Sequence, residues 1–348
     1  MNYIYILYNN INRFTRYSYI IIKRMRQSHF IIHVILFRYI LHIIIIIINK
    51  LYKKNCNFYI RPNVVIVVDH NMNVVYRISL NDWALNSVKI NYEFLLKYNN
   101  DLKIPNPINL TYKGMKIIKN ITVVSSETKL NSNALNINTI NNDIIIEVFR
   151  QLNHFYVKHL NVSLLNFTSM IDKYDYLYKY YHEEWIDKLL ILKKIINYKL
   201  NTITNNNERK IKSALTIIHG DLTYRNILRN KNFAFIDFDR SGLNFPEFDY
   251  FLFNIDLYTY KQYQTPTYDQ FFDNLLMFTI SEKFMSNDIN KFYELNDKFH
   301  ENQKIVFIIK YFLLYRTIAY SLLNFRFSEP EPNVILDKCL RRIESNGS

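Results

Sequence analysis

The sequence predicts an α+β fold of two lobes, a small antiparallel-sheet lobe followed by a larger, mainly helical one. Three observations carry this expectation. Short apolar runs at Val64 to Val68 and Val74 to Ser79 flank the polar stretch Asp69-His70-Asn71-Met72-Asn73, the pattern of a β-hairpin. A helical pattern follows over Asn86 to Tyr98, with Val88, Tyr92, Leu95 and Leu96 at helical spacing. The stretches 143–200 and 267–345 read as mainly helical, and between them stands a compact strand-turn-strand pattern after residue 218.

In the first lobe, further strands are expected near Lys116-Ile118 and Ile121-Val124, and the polar stretch Ser125 to Asn142 reads as a hinge and linker. In the second, Ile227-Leu228 and Phe233 to Ile236 read as two short strands joined at Asn230-Lys231-Asn232.

The strongest chemical signal surrounds that hairpin. His219-Gly220-Asp221-Leu222-Thr223-Tyr224-Arg225-Asn226 is followed by Phe235-Ile236-Asp237-Phe238-Asp239, so Asp237 stands eleven residues after Asn226. This order suits phosphoryl transfer from a magnesium-bound nucleotide. A carboxylate beside an acceptor hydroxyl can take its proton, the role expected of Asp221. Asp237 and Asn226 offer hard oxygen ligands, and magnesium takes few of those from protein because phosphates and waters supply the rest. Asp239 either touches a second metal or caps the next turn. Arg225 either offsets charge on the transferring phosphate or pairs with an acidic residue such as Asp239. His219 is expected to shape the loop rather than react.

These residues resemble the aminoglycoside phosphotransferase and choline kinase superfamily, whose fold is protein-kinase-like. The resemblance rests on His219, Gly220, Asp221, Leu222, Asn226, Ile236 and Asp237, on the run to Gly242, and on Pro246-Glu247-Phe248-Asp249. It is strong over roughly residues 215 to 255 and weaker back to about residue 57. It implies ATP and Mg2+ as cofactors, and an Asp at position 249 that braces the catalytic loop. It also implies a nucleotide site in the first lobe, with Arg77 on a strand where such folds place a Lys, paired to Glu93 on the next helix. The adenine hinge is then expected near Val124 to Glu127. A glycine-rich phosphate cover is missing, since Gly114 is the first Gly in the chain.

The implied organisation is a basic apolar segment over 1–56, a kinase-like N-lobe over 57–127 and a helical C-lobe over 128–348. The C-lobe carries the catalytic loop 219–226 and the metal-binding strand 235–239.

Charge narrows the partners. The net charge is +14, yet ten basic residues precede the first acidic residue, Asp69, so the rest of the chain carries only +4. Nucleic-acid binders ordinarily bear a basic stripe on the folded domain, so none is expected as partner. Residues 151–348 contain 25 Lys and Arg against 23 Asp and Glu. A pocket for polycationic aminoglycosides would want surplus carboxylates, so a neutral sugar or envelope-glycan hydroxyl is the leading acceptor. Choline, ethanolamine or aminoglycoside acceptors are the alternatives, and a non-catalytic, membrane-docked pseudokinase is the rival from another class.

The segment 1–56 is rich in Ile and free of acid. Ile31 to Ile48 is interrupted by His33, Arg38 and His42, which suits a helix lying on an anionic membrane surface better than one spanning it. An organellar transit segment or a start assigned too early are the competing readings. Cys56 and Cys339 form no motif, and a cytoplasmic location, peripheral on the inner face of a membrane if the anchor forms, is expected.

Overall fold

The computed structural model describes residues 56–60, 64–79, 82–114, 121–181, 183–203, 210–229, 232–264, 266–280, 303–323 and 332–345. The expected membrane-surface segment, the strand near Lys116-Ile118 and the turn residues Asn230 and Lys231 lie outside them. The described chain divides into two compact units. One holds the described residues up to Val88 together with Pro107–Lys129; the other holds Lys89–Asn106 and the described residues from Leu130 on.

The first unit is built on a five-stranded antiparallel sheet. Its strands are β1 (Cys56–Ile60), β2 (Val64–Asp69), β3 (Val74–Ser79), β4 (Pro107–Gly114) and β5 (Ile121–Thr128), in the order β1-β2-β3-β5-β4. Along β2 the side chains alternate, with Val65, Val67 and Asp69 buried, as a strand with one covered face requires. Asp69 closes the expected β2–β3 hairpin, its Oδ1 accepting the Asn71 and Met72 amides at 3.0 Å each. Asn73 completes the turn at φ 54°, a conformation Asn tolerates well. Ser125 to Glu127, expected in a hinge, instead lie buried within β5. Their short polar side chains gave no strand signal, but pairing with both β3 and β4 holds them extended.

Helix α1 (Asp82–Tyr98) places Trp83, Ala84, Ser87, Val88, Asn91, Phe94, Leu95 and Tyr98 on one buried stripe. Its residues from Lys89 on belong to the second unit.

The second unit is mainly helical. It contains α2 (Asn142–Lys158), α3 (Phe167–Asp172), α4 (Glu183–Ile203), α5 (Glu247–Tyr263), α6 (Tyr268–Ile280), α7 (Gln303–Leu323) and α8 (Pro332–Ser345). Asn141 caps α2 by accepting the Ile144 amide at 3.0 Å. Two small antiparallel sheets interrupt the helices. One orders β10 (Phe233–Phe235), β9 (Ile227–Arg229) and β6 (Asn133–Ala134); the other orders β11 (Gly242–Asn244), β8 (Lys210–Ile218) and β7 (Asn161–Asn166). The stretch 143–200 is therefore not all helical, because β7 finds its partner in β8, some fifty residues along the chain. Helix α5 is buried along nearly its whole length, which makes it the central post of this unit. Among the described residues no helix is long and apolar enough to cross a membrane.

Candidate active site

The expected hairpin forms. β9 pairs with β10 in register from Phe233 opposite Arg229 to Phe235 opposite Ile227. Beyond β10 the Ile236 amide donates to the Asn226 carbonyl at 3.0 Å, so the hairpin lays Asp237 back against the loop that carries Asp221.

Three side chains fix that loop. His219 is buried and its Nε2 lies 2.8 Å from the Ile236 carbonyl, while its Nδ1 accepts the Asp221 amide at 3.3 Å. An Nδ1 that accepts and an Nε2 that donates define the neutral tautomer, a shaping role rather than a reactive one. Asn226 donates from Nδ2 to the Asp221 carbonyl at 2.8 Å, which leaves its Oδ1 as the atom for a metal. Asp249, at the start of α5, accepts the His219 amide at 2.7 Å, the Gly220 amide at 2.8 Å and the Tyr156 hydroxyl at 2.8 Å. Burial pushes its carboxyl up, against the pull of the Tyr156 hydroxyl and the two amides. It is the brace the resemblance implies.

Gly220 has no substitute here. Its φ is +83°, and a Cβ would stand 2.0 Å from the Arg240 carbonyl oxygen. The loop and the segment after Asp239 thus meet backbone to backbone. Arg240 itself reaches Asp221, Nη1 to Oδ1 at 3.2 Å. The Arg316 guanidinium donates to the Arg240 carbonyl at 3.1 Å, and both guanidinium groups lie over the Tyr320 ring. Asp237 is buried and left-handed at φ 69°, backbone strain of the kind that collects at functional sites. The next amide, of Phe238, donates to Asn91 Oδ1 at 2.9 Å, and Phe94 stacks on Phe238 with centroids 4.0 Å apart.

The structure brings Asp221, Asn226 and Asp237 together and keeps Asp239 beside Arg240. Arg225 does not pair with Asp239: its partner is Asp256 of α5, Nη2 to Oδ1 at 3.6 Å. Oxygen donors of the carboxylate and carboxamide kind fit a magnesium ion, with phosphates and waters completing its shell. Among the described residues no three His, Cys, Asp or Glu side chains gather as a metal site of their own.

In the first unit Arg77 is buried on β3 and pairs with Glu127 of β5, Nη2 to Oε1 at 3.3 Å. Glu93, expected as its partner, belongs to the second unit. Glu93 lies on the exposed face of α1, 3.6 Å from Lys89 one turn back. The helix register turns Asn91 and Phe94 inward and Glu93 out, so α1 supports the segment beyond β10 through a carboxamide rather than a carboxylate. Sequence reasoning gave no role to Asn91, Arg240 or Asp256. Only Arg240 carried a signal, its place in the run after Asp237.

No family model matches this chain, and no curated protein matches it by sequence. Solved structures do. The amicoumacin kinase hAmiN, in complex with AMP-PNP, Ca2+ and Ami, shares 12% identity at a TM-score of 0.53, covering 83% of this chain and 88% of that one. A choline/ethanolamine kinase family protein from Mesorhizobium loti shares 11% at 0.46, covering 85% and 88%. The GDP and kanamycin complex of APH(2")-IIIa shares 12% at 0.47, covering 84% and 93%. The first of these establishes the class: the fold is protein-kinase-like, with a small antiparallel-sheet lobe and a larger helical one.

Proposed function

We propose that this protein is an ATP-dependent phosphotransferase that phosphorylates a hydroxyl of a small molecule, most simply a sugar or envelope-glycan acceptor. One observation carries the reading: the Ile236–Asn226 and His219–Ile236 hydrogen bonds lay the residue before Asp237 against the loop on which Asn226 is bonded to Asp221. A purely structural loop has no need of that combination.

In this reading Asp221 orients the acceptor hydroxyl and takes its proton. The hydroxyl oxygen bonds to the γ-phosphorus, the bond from that phosphorus to the bridging oxygen breaks, and ADP leaves. Arg240 holds the Asp221 carboxylate in place through their contact. Asp237 and Asn226, with Asp239, would hold Mg2+, which when bound screens the phosphate oxygens. Arg77 is assigned to the nucleotide phosphates and Glu127 steadies it. The backbone of Val124 to Glu127, first expected to meet the base, is paired on both sides within the sheet, to β3 and to β4. Glu93, exposed beside Lys89, has the weakest claim of the nucleotide-site residues.

Residues 1–56 carry nine basic and no acidic residues, which supports docking on an anionic membrane surface. The acceptor would then be drawn from the envelope side of cytoplasmic metabolism. The test is a metabolite and glycan acceptor screen that follows phosphate from ATP with and without Mg2+. Acceptor-dependent ADP production is expected; none with any acceptor, together with no nucleotide binding, overturns the reading.

A further inference from the structure

Arg225 follows Asp221 by four residues, and the fold fixes its guanidinium with unusual care. The group lies 5.8 Å from the ring centre of Tyr224 and 5.1 Å from that of Tyr260, distances at which a cation is drawn to an aromatic face. The two rings meet edge to face at 5.2 Å. Asp256, one turn before Tyr260 on α5, supplies the carboxylate at 3.6 Å. Exposure is divided unevenly across this ion pair. The Arg225 side chain is 56% exposed and that of Asp256 only 3%.

That asymmetry has a cost and a product. Burying a carboxylate is unfavourable unless its partners repay the lost hydration. Asp256 Oδ2 has no hydrogen-bond partner among the described residues, so this carboxylate is not part of a larger polar network. Apart from the Tyr224 backbone, its investment goes to Arg225. A surface Arg ordinarily samples many rotamers, and ordering it costs roughly 2 kcal/mol. Here that ordering is already done, with part of the guanidinium left to solvent. A preorganised fork of N–H donors is the usual reader of carboxylate and phosphate groups.

Its position gives the ligand. Arg225 shares one helical turn with Asn226, whose side chain donates to the Asp221 carbonyl at 2.8 Å, so the pair stands beside the loop of the proposed base. The Arg240 guanidinium contacts Asp221 itself at 3.2 Å, and the Arg316 guanidinium donates to the Arg240 carbonyl. We propose that the acceptor is itself an anion, a hydroxyl compound bearing a carboxylate or phosphate group that Arg225 binds while its hydroxyl lies at Asp221. This rests on the phosphotransferase reading and narrows it, replacing a neutral acceptor by an acidic sugar, a sugar phosphate or a compound of that chemistry.

The test uses the full chain without nucleotide and measures binding by calorimetry. The probes are D-glucuronate, D-glucose 6-phosphate and D-glucose, which separate a carboxylate, a phosphate and no charge on one scaffold. At least one anionic probe is expected to bind ten times more tightly than glucose. Arg225→Gln should lower its affinity to that of glucose, and Arg225→Lys should recover part of it. A phosphate ester held only at the nucleotide site would ignore the Arg225 substitution, which overturns the proposal. So does equal binding of glucose and both anions, or binding of neither anion. AMP-PNP binding to the same variants shows whether the fold and nucleotide site persist. Failure of the phosphotransferase reading looks different: no nucleotide binding and no transfer from ATP, with Arg225-dependent anion binding intact.

Discussion

Asp249 accepts from two consecutive backbone amides and a tyrosine hydroxyl, so both of its oxygens are committed. Asp249→Asn must turn an NH2 group toward one of those amides, whichever way the carboxamide is flipped. A loss of about 3 kcal/mol is expected, read from urea unfolding, because a buried network loses a partner and gains a repulsive contact. Gly220→Ala should cost ~2 kcal/mol or more and remove activity, since the Cβ meets backbone rather than a side chain that could yield. Asp256 gives a pH signature. Burial pushes its carboxyl from 3.8 up to about 6. Between those values the unfolded chain has released its proton while the folded chain retains it, so stability falls as pH rises through that window. Relative to Asp256→Asn, the unsubstituted protein should lose about 2 kcal/mol between pH 4 and 6.5. An unchanged difference across that range would contradict the buried, ionising Asp256. The proposed site residues Asp221, Asn226 and Asp237 were legible because one short hairpin sets their spacing. Asp256 and Arg240 were not, because their partners are chosen by how α5 and the segment after Asp237 pack, which local sequence does not encode.

At the scale of elements, α1 has two separable jobs. Its register sends Asn91 to the Phe238 amide and Phe94 onto the Phe238 ring, next to Asp237. Asn91→Ala leaves that amide buried without its acceptor, a cost of about 1 to 3 kcal/mol, and should lower turnover through misplacement of Asp237. Glu93→Ala removes only an exposed i,i+4 pair and should change stability by less than ~0.5 kcal/mol. A large loss of ATP affinity in Glu93→Ala would restore the role first expected of it. The helix itself was plain from its apolar spacing, but which of Asn91 and Glu93 faces the strand is a matter of 200° of rotation. Strands β4 and β7 were harder to see. Neither Pro-Ile-Asn-Leu-Thr-Tyr-Lys-Gly nor Asn-Val-Ser-Leu-Leu-Asn alternates cleanly; β4 is held extended by β5, the next strand, and β7 by β8, far along the chain.

For the whole molecule, the basicity of residues 1–56 predicts vesicle binding that weakens as salt rises, with each headgroup-facing charge contributing about 1 kcal/mol. A chain starting near Asn57 should lose this binding and keep phosphate transfer. Resistance of the full chain to salt and alkali extraction would instead indicate a spanning segment. The central claim is that a kinase-like fold here performs kinase chemistry. The most direct measurement is transfer of the γ-phosphate of ATP to an acceptor by the full chain, by Asp221→Ala and by Asp237→Ala, with and without Mg2+. The account predicts magnesium-dependent transfer by the unsubstituted chain and a fall of at least a hundredfold in each variant. Undiminished transfer by Asp221→Ala would contradict it.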